Sequence, residues 1–395
     1  MKAIRLIAAL LFFSSVAVIL KAADGEDVTK SFKVNKGGTL KVNIITGDIT
    51  VNTWNRNEVN VSIDNIDEDQ HNLLNIYQTG NNVTVQFNGS GYYGSSDVKV
   101  SVPSEYNLEL ETNQGDVQLT NNIKGSVRID TRSGDISLAE VNGDLKILTN
   151  GGDINLSSVT GNANATTYGG DITTGIINGN LTLTTMGGDI HTQNITKKAF
   201  INTKGGTIVL KNVGGDLKAE TNGGDVVVGD VDGDAYISTM GGSIHTKKVS
   251  GSATLKTNGG NIKLLGASGK TEARTYGGNL ELYNVSGTVD ATTNSGDIYI
   301  ELKPGSSGTS SISSMNGGVK LFVDPSARAT INAVAYGVQY GESITDYIKS
   351  DFPIKRSDTS EYSSSTKGTV VLNVGGSMIN VRSDNDRIEI RKLRK

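Results

Sequence analysis

The sequence predicts an all-β chain folded as a single parallel β-solenoid, with 18-residue coils made of two nine-residue halves. Three observations predict it. A turn glycine recurs every 18 residues, at Gly134, Gly152, Gly170, Gly188, Gly206, Gly224, Gly242, Gly260, Gly278 and Gly296. A second row lies halfway between, at Gly143, Gly161, Gly179, Gly215, Gly233, Gly251, Gly269 and Gly287, and only Lys197 breaks it. A threonine stands three residues before each turn glycine, at Thr131, Thr149, Thr167, Thr185, Thr203, Thr221, Thr239, Thr257, Thr275 and Thr293. A fixed period held this long is the signature of stacked repeats, each too small to bury its own apolar face.

Residues 1–23 read as an export signal. Lys2 and Arg5 form a charged start, Leu6 to Leu20 a 15-residue apolar stretch, and Ala22-Ala23 a small-residue exit. The stretch is short for a membrane span, so cleavage is expected and no transmembrane span remains after it. Residues 24–110 are expected to form irregular coils and an N-terminal cap, in which Gly47-Asp48-Ile49-Thr50-Val51 anticipates the repeat. Residues 111–300 form the regular array. In the unit from Gly134 to Gly151, Ile136 and Leu138 alternate with Ser137, and Leu145 and Ile147 alternate with Lys146. Alternation puts each pair on one face of a strand. Each half is therefore a strand of about five residues plus a turn in which glycine supplies unusual backbone angles. Equivalent strands should stack in parallel at about 4.8 Å per coil.

A six-residue period fits poorly, because its core positions would fall on Asn142 and Asp144. Two sides per coil are expected, with a third short side left open, and right-handed winding follows the general rule for parallel crossovers. By alternation Thr149 points inward, and the threonine row is expected to satisfy its hydroxyls by bonding along the rod. These threonines and the turn glycines are read as structural. Residues 301–395 stretch the spacing and form the C-terminal irregular coils and cap, ending on Ile379, Val381, Ile388 and Ile390. The prolines, at 103, 304, 325 and 353, mark the limits of the regular coils, since proline cannot donate to a ladder.

The composition excludes several chemistries. There is no cysteine, hence no disulfide, thiol nucleophile, thiolate metal site or lipidated N-terminal cysteine. The net charge of −4 becomes −7 once Lys2, Arg5 and Lys21 leave with the signal, which argues against nucleic acid as a partner. No cofactor and no catalytic set is expected. The candidate cation row is Asp116, Asp135, Asp153, Asp171 and Asp189, one per coil. Calcium-binding nonapeptides place aspartate differently relative to their glycines. Thr207, Ser243, Asn261 and Asn279 then interrupt the row, so turn-forming side chains account for it better. His191 and His245 stand three coils apart, about 14 Å, too far to share a metal or a proton, and His71 is remote. Two surface features are candidates for contact with a partner. One is the varied stripe before the glycine pairs: Asn150, Tyr168, Met186, Lys204, Asn222, Met240, Asn258, Tyr276 and Asn294. The other is the C-terminal group Tyr336, Tyr340, Tyr347, Phe352 and Tyr362, for which capping the last coil is the favoured role.

The order of motifs carries a resemblance. Phe32-x-Val34, Gly38-x-Leu40-x-Val42, Gly47-Asp48-Ile49-x-Val51 with Trp54, Val100-x-Val102-Pro103 and the Thr-x-Gly-Gly-Asp-Ile series resemble the DUF4097 β-strand-repeat proteins, often called adhesins. The resemblance spans nearly the whole mature chain. It implies an exported bacterial β-solenoid with a cell-envelope role, and no family active site comes with it. The function expected is a non-enzymatic interaction scaffold meeting a protein or polysaccharide partner at the periplasm, cell surface or exterior. Its rivals are a polysaccharide lyase or hydrolase and a calcium-stabilised secreted rod.

The repeat generates a direct test. Deleting Gly188 to Gly205 removes one complete unit and preserves register, so a folded rod shorter by about 4.8 Å should result. A nine-residue deletion joins unlike halves and should be far more damaging. Ile201→Asp places an unpartnered charge in the core and should unfold a long central stretch. Circular dichroism and proteolysis decide the matter; collapse of the 18-residue deletion beside a folded Ile201→Asp chain contradicts the assigned interior.

Overall fold

The computed structural model describes residues 26–66, 68–89, 97–337, 344–356 and 364–394. The predicted signal, together with Tyr340 and Tyr362, lies outside the described residues. The described chain forms two parallel sheets that run the length of one solenoid and enclose a single core. In a typical coil a long strand, Ile154–Val159, lies in one sheet, and a short strand, Ala163–Thr166, lies in the other. Each residue pairs with the one 18 positions on: Ile154 with Ile172, Ala163 with Leu181.

The predicted halves, with strands of about five residues each, are unequal. The long strand has three inward residues, Ile154, Leu156 and Val159, and both Ser157 and Ser158 face out between the second and third. This breaks the alternation and bends the strand. In the preceding coil the bend separates two strands, Ile136–Leu138 and Val141–Asn142, both still in the same sheet. The short strand has two inward residues, followed by the threonine.

The stacking distance explains the glycine columns. A Cβ built on Gly152 would lie 1.8 Å from the carbonyl oxygen of Gly134 in the coil before it, and one on Gly188 would lie 2.1 Å from that of Gly170. At these turns successive backbones touch, and only a residue without a side chain fits.

The interior is filled by trading volume across each coil. The second inward position of the long strand and the second of the short strand sit on opposite inner faces. They read Leu156 and Ala165, Thr174 and Leu183, Thr192 and Ile201, Leu210 and Ala219, Thr246 and Leu255, Leu264 and Ala273, Leu282 and Ala291, all buried. A large residue on one face meets a small one on the other. Between Gly134 and Gly296 two pairs depart from this, Leu138 with Ile147 and Val228 with Ile237, and in the flanking coils Leu119 with Ile129 and Ile300 with Ile312 do so as well. Close-packed interiors impose such a constraint, since both voids and overfilling cost stability.

Stacking order and chain order part company at both ends. Strands Thr39–Thr46 and Ile49–Trp54 are sandwiched between later ones. The first lies between Asn82–Phe87 and Asn107–Gln114, the second between Val98–Pro103 and Val117–Leu119. At the other end the last two strands, Ser377–Ser383 and Ile388–Lys392, insert in the same way. Ser377–Ser383 lies between Thr309–Ser314 and Ala329–Tyr336, and Ile388–Lys392 between Val319–Val323 and Ile348–Ser350. Antiparallel strands then cover three outer edges: Leu74–Thr79 and Glu58–Ile66 at one end, Ser365–Leu372 at the other, where the parallel strand Ile348–Ser350 is the outermost of the long-strand sheet among the described residues. Covering the last parallel strand with an antiparallel one removes an edge that would otherwise recruit another chain.

The volume trade predicts a non-additive pair of substitutions. Leu210→Ala should cost about 2–5 kcal/mol through the cavity it leaves. Ala219→Leu should cost about 1–3 kcal/mol through overpacking. The double variant exchanges the two volumes and should be more stable than Leu210→Ala alone. Additive losses in chemical denaturation would contradict opposed packing.

Candidate functional site

The turns use their polar side chains on one another. Each aspartate after a turn glycine accepts the backbone N–H of its counterpart one coil on. Asp48 accepts from Asp116, Asp116 from Asp135, Asp135 from Asp153 and Asp153 from Asp171, all at 2.8 Å; Asp171 accepts from Asp189 at 2.7 Å. The row then passes through other acceptors: Ser243 takes the N–H of Asn261 at 3.2 Å, and Asn261 that of Asn279 at 2.8 Å. Aspartate, serine and asparagine each supply the accepting oxygen, which explains why they interchange. Among the described residues no group of three or more His, Cys, Asp or Glu side chains is placed to hold a metal ion.

The threonine row works differently from the expectation of hydroxyls bonded to hydroxyls. Thr203 donates to the carbonyl of Gly188 in the preceding coil at 2.9 Å and accepts the N–H of Gly206 in its own turn at 3.2 Å. Thr167, Thr185, Thr221, Thr239, Thr257 and Thr275 repeat both bonds, and Thr149 makes them at 3.4 Å. The row satisfies the turn glycines, whose missing side chains bring the backbones too close for any other partner. Two members depart: Thr293 makes only the bond to the carbonyl of Gly278, at 2.8 Å, and Thr131 has a buried hydroxyl that makes no hydrogen bond.

His191 and His245 share an outward column, separated by Val209 and Val227 in register. The stripe before the glycine pairs runs along one edge, with Tyr168, Met186, Met240 and Tyr276 exposed. Of the C-terminal aromatics, Tyr347 and Phe352 are buried in the core. Tyr336 carries the Arg382 guanidinium over its ring at 4.7 Å, itself paired to Asp384 at 2.6 Å.

The sheet faces hold aromatic groups that attention to the turns overlooked. On the long-strand sheet, Tyr283, Tyr299 and Phe322 form a ladder, with ring centres 5.1 and 5.0 Å apart. Burial pushes the Tyr299 hydroxyl up to about 12, helped by its 2.9 Å bond to Glu301. On the short-strand sheet, Phe200, Lys218 and Tyr236 lie side by side in register. They line an open trough of about 520 Å³. The Lys218 ammonium sits 5.3 Å from the centre of the Phe200 ring and 5.7 Å from that of Tyr236. Beside them Lys198 pairs with Asp216 at 2.8 Å. The hydrogen bond from Lys198, together with the N–H of Asp234, holds the Asp216 carboxyl below its usual range. The signal was present in the sequence as aromatic residues 36 apart at outward positions, two repeat lengths.

The two turn ladders can be tested separately. Thr203→Val removes the hydroxyl that serves a carbonyl and an N–H at a buried turn, and should cost about 1–3 kcal/mol. Asp171→Asn keeps the acceptor and should change stability by less than about 0.5 kcal/mol, whereas Asp171→Ala should cost about 1 kcal/mol. Equal losses for the asparagine and alanine variants in thermal melts would show that carboxylate charge, not the acceptor, matters.

The family model described as Toastrack DUF4097 matches residues 38–254, more than half of the chain. Comparison with curated proteins finds no match. Among solved structures, a putative adhesin from Bacteroides fragilis is similar at 11% identity and a TM-score of 0.22, covering 93% of this chain and 97% of its own. A putative adhesin from Parabacteroides distasonis is similar at 14% identity and a TM-score of 0.24, covering 76% and 94%. A putative lipid binding protein from the same species is similar at 13% identity and a TM-score of 0.17, covering 75% and 94%. The family match extends from Gly38, ahead of the first Gly-Asp-Ile turn, deep into the regular coils, and the chain belongs to the Toastrack DUF4097 family.

Proposed function

We propose that this chain is an exported, non-enzymatic scaffold that presents its outer sheet faces to a partner at the cell envelope or surface. One observation carries the reading: from Gly134 to Gly296 every coil closes in 18 residues, so its surface is a set of straight side-chain columns with no long loop rising above them. Such a surface suits extended contact, and repeat proteins use their continuous faces in this way. Catalytic clefts need walls, which these turns are too short to build. The carboxylates regular enough to suggest chemistry are engaged by backbone N–H groups of the next coil. No helix among the described residues is long and apolar enough to cross a membrane.

Fractionation of the native host should find the chain outside the cytoplasm, shortened at its N-terminus. The purified chain should be retained saturably on envelope preparations. Its melting temperature should be the same in calcium and in chelator. Residence in the cytoplasm, or steady turnover of a polysaccharide abolished by a single Asp→Asn change, would contradict the proposal.

A further inference from the structure

The trough on the short-strand sheet is lined by two outward columns in register, and a third stands beside them. The central column reads Thr182, Phe200, Lys218, Tyr236 and Thr254. On one side stand Lys198, Asp216, Asp234 and Ser252, which line the trough with them. On the other stand Asn202, Glu220 and Ser238. Two aromatic rings are thus held two strand spacings apart, about 9.6 Å, along the solenoid axis. Lys218 stands between them, and its position is fixed from three sides. Its ammonium contacts both rings and pairs with Glu220 at 2.9 Å. Phe200 is an exposed phenylalanine in a chain where only 5% of residues are aromatic. An apolar ring on the outside of a β-solenoid does nothing for the core.

Each lysine of the trough is neutralised locally. Lys198 belongs to Asp216 and Lys218 to Glu220, so neither lysine lining the trough lacks a carboxylate. Asp234 adds a further carboxylate, which accepts the N–H of Ser252 at 2.7 Å with one oxygen. A polyanion, whether nucleic acid or an acidic polysaccharide, meets no free positive charge here. An added protein strand finds no edge, because the backbone groups of these coils are engaged in the ladders on both sides. The remaining chemistry is that of a sugar chain. Pyranose rings present patches of weakly positive C–H bonds, which favour the negative face of an aromatic ring. Their hydroxyls need closely spaced donors and acceptors at either side of that contact, of the kind that sugar and cofactor sites supply in small numbers.

We propose that this trough binds an uncharged pyranose chain lying along the solenoid axis. Its sugar faces rest on Phe200 and Tyr236, and its hydroxyls meet Asp216, Asp234 and the flanking hydroxyl residues. The site rests on the reading of this chain as a surface-binding scaffold and names the class of partner for one of its faces.

The test is calorimetric titration of the full mature chain with cellohexaose, maltohexaose and chitohexaose, and with polygalacturonate as the acidic control. At least one neutral hexasaccharide should bind saturably. Phe200→Ala and Tyr236→Ala should each weaken that binding at least tenfold without changing the melting temperature, and Tyr236→Phe should retain most of it. The inference is overturned if no neutral hexasaccharide binds, if polygalacturonate binds better, or if the alanine variants bind as the parent does. A parallel arm measures retention on host envelope preparations. Equal retention of the parent and the Phe200→Ala/Tyr236→Ala chain, with no hexasaccharide binding, removes the trough and leaves the scaffold reading standing. Hexasaccharide binding that the alanine variants lose, without envelope retention, supports the trough and removes the scaffold reading.

Discussion

One strand spacing per coil governs this molecule. Each backbone N–H of a regular strand donates to the coil beside it, and the coils can approach no further and separate no more than that ladder allows. The turns must obey the same spacing although their backbones run across the axis. This is why a glycine column forms, with a notional Cβ at Gly206 only 2.0 Å from the carbonyl oxygen of Gly188. The close approach leaves turn amides and carbonyls facing neighbours of the same kind. The threonine hydroxyls and the aspartate and asparagine side chains then satisfy them from within the stack. Glycine, threonine and aspartate recur together because each answers a need created by the other two.

The same spacing ties the core to the surface. Inward residues stack on their equivalents from coil to coil, so any local excess of volume must be compensated within a single coil, as between Leu264 and Ala273. Outward residues stack as well, and a side chain exposed in one coil acquires fixed neighbours above and below. Columns such as Phe200, Lys218 and Tyr236 therefore form surfaces as definite as the core. At the ends, where a parallel stack would expose bare edges, the chain threads an early coil and a late coil back into the array and covers three of the four sheet ends with antiparallel strands.

Much of this was legible in the sequence. The period located the turns, and alternation from Ile136 through Ile147 identified the inward residues. Other features needed three dimensions. The paired outward serines, Ser157 and Ser158, break the alternation, but nothing in a linear reading says that the strand bends there and remains in its sheet. The threonine hydroxyls face inward as alternation requires, yet their partners are glycine backbone atoms 15 residues earlier and three residues later, and only the closed turn brings these together. Insertion of Ser377–Ser383 between older strands is invisible to any local pattern, because a strand carries no mark of which neighbours it will find. The trough was missed because its aromatics lie two repeats apart, and become neighbours of one lysine only when the coils are stacked.

The central claim is that residues 18 apart lie in register, one strand spacing from each other, along the whole array. The chain has no cysteine, so spin labels can be placed at will on outward positions of a single column. Ser137, Val209 and Lys263 belong to one such column, four and seven coils apart when counted from Ser137. Pulsed electron spin resonance on cysteine pairs at these sites should give backbone separations of about 19 Å for Ser137 with Val209 and about 34 Å for Ser137 with Lys263. Distances that fail to grow in proportion to the number of intervening coils would contradict the stacked, in-register solenoid.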